Sequence, residues 1–131
     1  MLIQLDLENA EPIYIQLQQQ IIEGIAKKQL NPGESLPSVR SMAADIGINL
    51  HTVNKAYQHL KQDGYILIHR QKGVVINPDG VPKADGAYKE KLKANLRPFI
   101  ADSVCRDLSE EEFIKYCSSI FAEFYNEEGD S

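Results

Sequence analysis

Ten polar side chains and one glycine between Ser38 and Gly73 carry the residue types that grip a polyanion and read flat heterocyclic edges: Ser38, Arg40, Asn49, His51, Thr52, Asn54, Lys55, Arg70, Gln71, Lys72 and Gly73. A guanidinium such as that of Arg40 holds a phosphate or the edge of guanine through two parallel hydrogen bonds. Asparagine, histidine and threonine offer donors and acceptors of the size that reaches a base edge, and lysine meets phosphate as a point charge. The same stretch holds none of the pairings that covalent or hydrolytic chemistry needs. There is no nucleophile with a base beside it, no phosphate-cradling glycine loop and no paired catalytic carboxylate. His51, His59 and His69 differ too much in spacing to suggest a metal site. An enzyme is therefore not expected, nor is a cofactor.

The elements that must position these residues are written in the same stretch, LPSVRSMAADIGINLHTVNKAYQHLKQDGYILIHRQKG. Ser38 suits the cap of a helix running to about Ile46, with Val39, Met42, Ala43 and Ile46 facing inward. Gly47 tolerates the positive φ of a sharp turn. Asn49 is the next cap candidate, and Leu50 to Asp63 carries Val53, Ala56, Tyr57 and Leu60 on one stripe. That stripe leaves His51, Thr52, Asn54 and Lys55 on or near the free face. Gly64 follows as a C-terminal stop. Tyr65–Ile68 and Val74–Ile76 are β-prone runs joined by a short glycine-containing loop, which predicts a hairpin. Helix, turn, helix and hairpin in this order predict a winged helix-turn-helix. In that module the second helix enters the DNA major groove and the wing meets the flanking backbone.

The flanks read as support. Leu2, Ile3, Leu5 and Leu7 suggest an extended segment or an arm packed on the next helix. Pro12 opens a helix with Ile13, Leu17, Ile21 and Ile25 on one stripe, glutamines 16, 18, 19 and 20 toward solvent, and an end near Gln29-Leu30, before the breaker Asn31-Pro32-Gly33. Asn77 to Pro82 is dense in turn formers and marks a boundary. The expected division is a winged-helix domain over 1–77, a linker over 78–86 and a helical region over 87–131. In that last region Tyr88, Leu92, Leu96, Phe99 and Ile100 share a face, and Pro98 is expected to kink or split the helix. Ser109 and Glu112 match a capping box for a final helix that frays from Asn126 to Ser131.

The totals bound the function. The chain has 131 residues and a formal net charge of -5, which on its own argues against a nucleic-acid partner. The distribution reverses that reading. Leu36–Gly73 has five basic and two acidic residues, whereas the chain from Val81 onward has seven basic and eleven acidic. Cys105 and Cys117 have no metal-ligand or redox spacing and read as buried free thiols. No apolar run is long enough to span a bilayer, and the N-terminus lacks the pattern of a signal peptide, so a cytoplasmic protein without a membrane partner is expected.

Residues 10 to 77 resemble the N-terminal module of GntR-type bacterial transcription regulators. The shared features are the helix ending before NPGESLPSVR, the L-P-S-x-R segment, the A-x-x-x-G turn, T-V-x-K-A-Y in the recognition helix and D-G-Y-I leading to the wing. The short helical tail is similar to the YtrA-type branch. This resemblance implies homodimeric regulators, often repressors, commonly linked to ABC-transporter genes. Three positions depart from the pattern. Leu50 stands where relatives commonly carry arginine or another polar residue, and Gln71 and Val74 replace a glycine and a threonine at the wing tip.

The resulting expectation is a mainly α protein with a small β-hairpin wing and a C-terminal dimerisation region. It would be a sequence-specific DNA-binding regulator, a homodimeric repressor on a palindromic operator. A winged-helix protein-interaction module is the alternative. Arg40 either meets DNA or pairs with Asp45 or Glu34. Asn49 caps its helix, meets DNA, or both. His51 reads bases or is merely solvated, and Lys55, Arg70 and Lys72 meet phosphate. Tyr57 is core, with a hydroxyl able to reach the backbone, and His59 is an ordinary surface residue. Leu92, Leu96, Phe99, Ile100, Phe113, Cys117, Ile120, Phe121 and Phe124 form either the dimer interface or a face packed on the chain's own winged-helix domain. Control through a small effector between the domains and control by abundance alone both stay open.

Overall fold

A computed structural model describes the backbone of residues 3–129 and the side chains through Tyr125. It divides into two units, Met1–Pro82 and Lys83–Ser131. In the first unit α1 (Ile13–Ala26), α2 (Val39–Ile46) and α3 (Leu50–Gln62) pack with a sheet of β1 (Ser35–Leu36), β2 (Ile66–His69) and β3 (Gly73–Ile76). The expected hairpin is β2–β3, paired from Ile66 with Ile76 to His69 with Gly73. The sheet also has a third strand that sequence reading does not reveal. Ser35 and Leu36 pair antiparallel with Val75 and Val74, so the order is β1-β3-β2. Two residues are too few to show alternation, and only the pairing defines them as a strand.

The core lies where the helical stripes predict. Leu17 and Ile21 of α1 meet Val53, Ala56, Tyr57 and Leu60 of α3, closed below by Leu30, Ile66, Val74 and Ile76. Met42 and Ala43 are buried on α2, with Val39 and Ile46 packed at the edge. Each such aliphatic side chain stabilises the fold by about 1.5–3 kcal/mol relative to exposure. Tyr57 is fully buried, and its hydroxyl donates a 2.8 Å hydrogen bond to the Pro37 carbonyl. The backbone that this hydroxyl reaches is the protein's own.

Local signals are met at most termini. Ser38 Oγ accepts from the Ser41 amide at 3.1 Å, and Gly47 is left-handed with φ 70°. Gly64 has φ 87°, and a Cβ there would lie 2.8 Å from Cδ of Pro82, so only glycine fits both the turn and its neighbour. Helix α1 stops at Ala26, earlier than expected. Lys28 takes φ 62°, and the amides of Gln29 and Leu30 both return to the Gly24 carbonyl. The last turn thus closes on a non-glycine left-handed residue, which breaker residues do not announce.

The N-terminal segment is the arm alternative. Ile3 and Leu5 pack against the core. Gln20 accepts from the Gln4 amide and donates back to its carbonyl, and Gln16 does the same for Asp6. Two of the glutamines assigned to solvent therefore clamp the arm. Leu2 lies outside the described residues.

The second unit is α4 (Gly86–Cys105) and α5 (Glu110–Gly129). Asp85 Oδ1 accepts from the Tyr88 amide at 2.8 Å to start α4, and Ser109 Oγ accepts from the Glu112 amide at 3.1 Å to start α5. The helix α4 passes through Pro98 as one element, so the proline does not split it. Its missing amide removes one hydrogen bond, and a helix of this length keeps the others. Helix α5 continues beyond Asn126, where fraying was expected, while Asp130 and Ser131 lie outside the described residues.

Burial raises the pKa of the Tyr57 hydroxyl, because its anion would be desolvated. A folded pKa above the unfolded value gives stability that is complete below about pH 10 and lost as pH rises further. In chemical denaturation followed by circular dichroism, Tyr57→Phe should cost about 1 kcal/mol at neutral pH for the lost hydrogen bond. Its loss of stability above about pH 10 should be shallower than that of the parent protein.

Candidate nucleic-acid interface

Helix α3 presents its N-terminal end beside the start of α2. Val39, Arg40, Leu50, His51 and Asn54 line one open cleft of about 300 Å³. Arg40, His51 and Asn54 are exposed, and Leu50 is half-buried at the rim of the core. Among the described residues Arg40 pairs with neither Asp45 nor Glu34, and the Glu34 carboxylate instead accepts from the Asn31 amide. The arginine, histidine and asparagine from two elements thus converge on one surface with their polar ends open. Convergence of this kind suits base edges and phosphates better than it suits a buried ligand.

Asn49 caps α3, its Oδ1 accepting the His51 amide at 2.7 Å. Thr52 is half-buried on the other flank of α3. Ser38 is exposed, but its oxygen is engaged as the cap of α2.

Lys55 is held differently from a free phosphate contact. Its Nζ stands 4.1 Å from the centroid of the Tyr14 ring, while His59 meets that ring edge-on at 5.6 Å. A cation over a ring face is attracted by about 0.5–1 kcal/mol at an exposed site. His59 is half-buried in this contact, and the expectation of an ordinary surface residue is corrected. Tyr14 follows Ile13 of the α1 stripe in the sequence, and its role as a platform for Lys55 needs the packing of α1 on α3 to appear.

At the wing, Arg70, Gln71 and Lys72 form the turn between β2 and β3 and are all exposed. Gly73 begins β3 with φ 74°, a conformation that glycine adopts without strain. The base of the wing is tied to the end of α3: the Tyr65 amide donates to the Leu60 carbonyl, and Asn77 Nδ2 donates to the Gly64 carbonyl.

Residues 13–76 match the family profile described as "Bacterial regulatory proteins, gntR family". The HTH-type transcriptional repressor YtrA of Bacillus subtilis is 32% identical over 122 residues, covering 93% of this chain and 94% of that protein. The chain belongs to the gntR family of bacterial regulatory proteins. The HTH-type transcriptional regulator YhcF of Bacillus subtilis is 35% identical over 82% of this chain and 88% of its own length. Among solved structures, a transcriptional antiterminator from Listeria monocytogenes has a TM-score of 0.87 at 28% identity, covering 95% of this chain and 92% of that one. YtrA from Sulfolobus acidocaldarius, a GntR-family transcription factor, has a TM-score of 0.56 at 35% identity, covering 92% of this chain and 97% of that one.

As a gntR-family transcription regulator, the protein carries a winged helix-turn-helix whose recognition helix is α3 and whose wing is β2–β3. Among the described residues no cluster of His, Cys, Asp or Glu could hold a metal, and no helix is long and apolar enough to cross a membrane.

The cap and any nucleic-acid contact of Asn49 separate by substitution. Asn49→Ala should lower stability by about 1 kcal/mol in denaturant titration without DNA, whereas Asn49→Asp, an equally good cap, should change it by only a few tenths. Equal losses from both would remove the cap from the account of α3.

Proposed function

We propose that this regulator is a homodimeric, sequence-specific repressor that binds a palindromic duplex. Residues 1–77 act as the DNA-binding domain, 78–86 as the linker and 87–131 as the dimerisation region. The N-terminal end of α3 enters the major groove, where His51 and Asn54 read base edges with Arg40, and Asn49 and Thr52 flank them. Ser38, Lys55 and the wing residues Arg70, Gln71, Lys72 and Gly73 face phosphate. The observation that carries this reading is the cleft in which the exposed side chains of Arg40, His51 and Asn54 converge, without a side-chain partner among the described residues.

Support for pairing comes from the second unit. None of its described residues is buried, and Phe99 is 68% exposed, Val104 66% and Phe121 61%. Leu92, Leu96, Ile100 and Ile120 are exposed as well, and Phe113, Cys117 and Phe124 are half-exposed. Cys105 is exposed rather than buried. Two helices have too little interior to cover such residues, and a second copy supplies the missing surface. Repression is supported by the similarity to YtrA of Bacillus subtilis, a named repressor. Control of transporter genes rests on resemblance to the YtrA-type branch, and a cytoplasmic location follows from DNA as the partner.

The test is fluorescence anisotropy with a duplex selected from a random-sequence library by the full chain. Affinity should fall steeply with salt. Arg70→Ala should weaken all sequences alike and reduce the salt slope by about 1, and His51→Ala should cost about 1–3 kcal/mol on the selected duplex and relax its preference. Uniform losses from both would remove base reading from His51. No duplex binding at low ionic strength would favour a protein-interaction module.

A further inference from the structure

We propose that Leu50 reads thymine, through the C5-methyl group that this base presents in the major groove. The inference rests on the DNA-binding reading and adds to it the chemistry of one contact. Leu50 is the first residue of α3, the part of a recognition helix that reaches the base edges. It is half-buried: its inner side packs against the core, and it also lines the open cleft shared with Arg40, His51 and Asn54. Val39 lines the same cleft, so two aliphatic side chains stand among three polar ones. A wholly polar cleft would suit guanine, cytosine or adenine edges. An apolar side chain beside hydrogen-bonding ones matches the base whose major-groove edge pairs a methyl with an acceptor, which is thymine. His51 or Asn54 then donates to the O4 acceptor while Leu50 covers the methyl.

The contact has a probe that changes nothing else, because deoxyuridine lacks only the methyl. The full chain is titrated against its selected duplex with deoxyuridine replacing thymidine at one position at a time. Wild-type protein should lose about fourfold in affinity at the position contacted, the loss expected for one apolar carbon returned to water. Leu50→Ala should bind the thymidine duplex more weakly by a similar factor and be indifferent to deoxyuridine at that position only. Leu50→Met, which keeps an apolar tip, should retain the discrimination. A wild-type protein indifferent to every deoxyuridine would overturn the proposal, with Leu50 left as a packing residue, and so would a Leu50→Ala protein that still discriminates. The deoxyuridine scan of the wild-type protein needs no variant to fold. Failure to select any duplex would instead remove the DNA-binding reading and this contact with it.

Discussion

The hydrogen bond from the Tyr57 hydroxyl to the Pro37 carbonyl is the constraint on which the face proposed to meet DNA depends. Tyr57 is rooted in the middle of α3, and Pro37 stands just ahead of the cap of α2. The bond therefore fixes the start of α2 against the body of α3. Arg40 lies within the first turn of α2, and His51 and Asn54 lie on α3, so their shared cleft follows from that fixed relation. The ring of Tyr57 is fully buried, and its polar atom is satisfied by a backbone acceptor. A buried hydroxyl without such a partner would cost about 1–3 kcal/mol, which penalises any arrangement that moves the two helices apart.

The two units obey opposite rules. In the first, the core is closed and the polar residues left over are the ones proposed to meet DNA. In the second, no described residue is buried, and the leftover surface includes many large apolar side chains. Aliphatic and aromatic side chains from both helices stand open along that unit. Surface of this kind favours association, and a symmetric pair would give the recognition helix a second copy at a fixed spacing. In sequence, the acidic excess of the chain falls in this second unit, and the locally basic stretch that carries the wing and α3 belongs to the first.

Much of the fold was legible because its signals are local. Ser38, Gly47, Asn49 and Gly64 each announce a helix end through one residue's own backbone or side-chain preference, and each sits where expected. The stripe of Val53, Ala56, Tyr57 and Leu60 was likewise readable from its spacing. What escaped depends on distant partners. The strand β1 exists only through its pairing with β3, and the grip of Gln16 and Gln20 on the N-terminal arm depends on contacts across the turn into α1. The platform that Tyr14 makes for Lys55 joins residues of two helices. Cys105 is exposed and Cys117 only half-buried for a related reason. A helical apolar pattern predicts burial, but the two helices that carry it have too little interior to complete it.

Sedimentation velocity of the full chain with its selected duplex tests the proposed assembly on DNA most directly. A saturated complex should hold two protomers of 14.7 kDa on one duplex. Replacing Phe121 by aspartate should abolish that species at protein concentrations that saturate the parent complex. A complex that saturates at one protomer per duplex, or one that tolerates the aspartate without loss, would contradict assembly through the second unit.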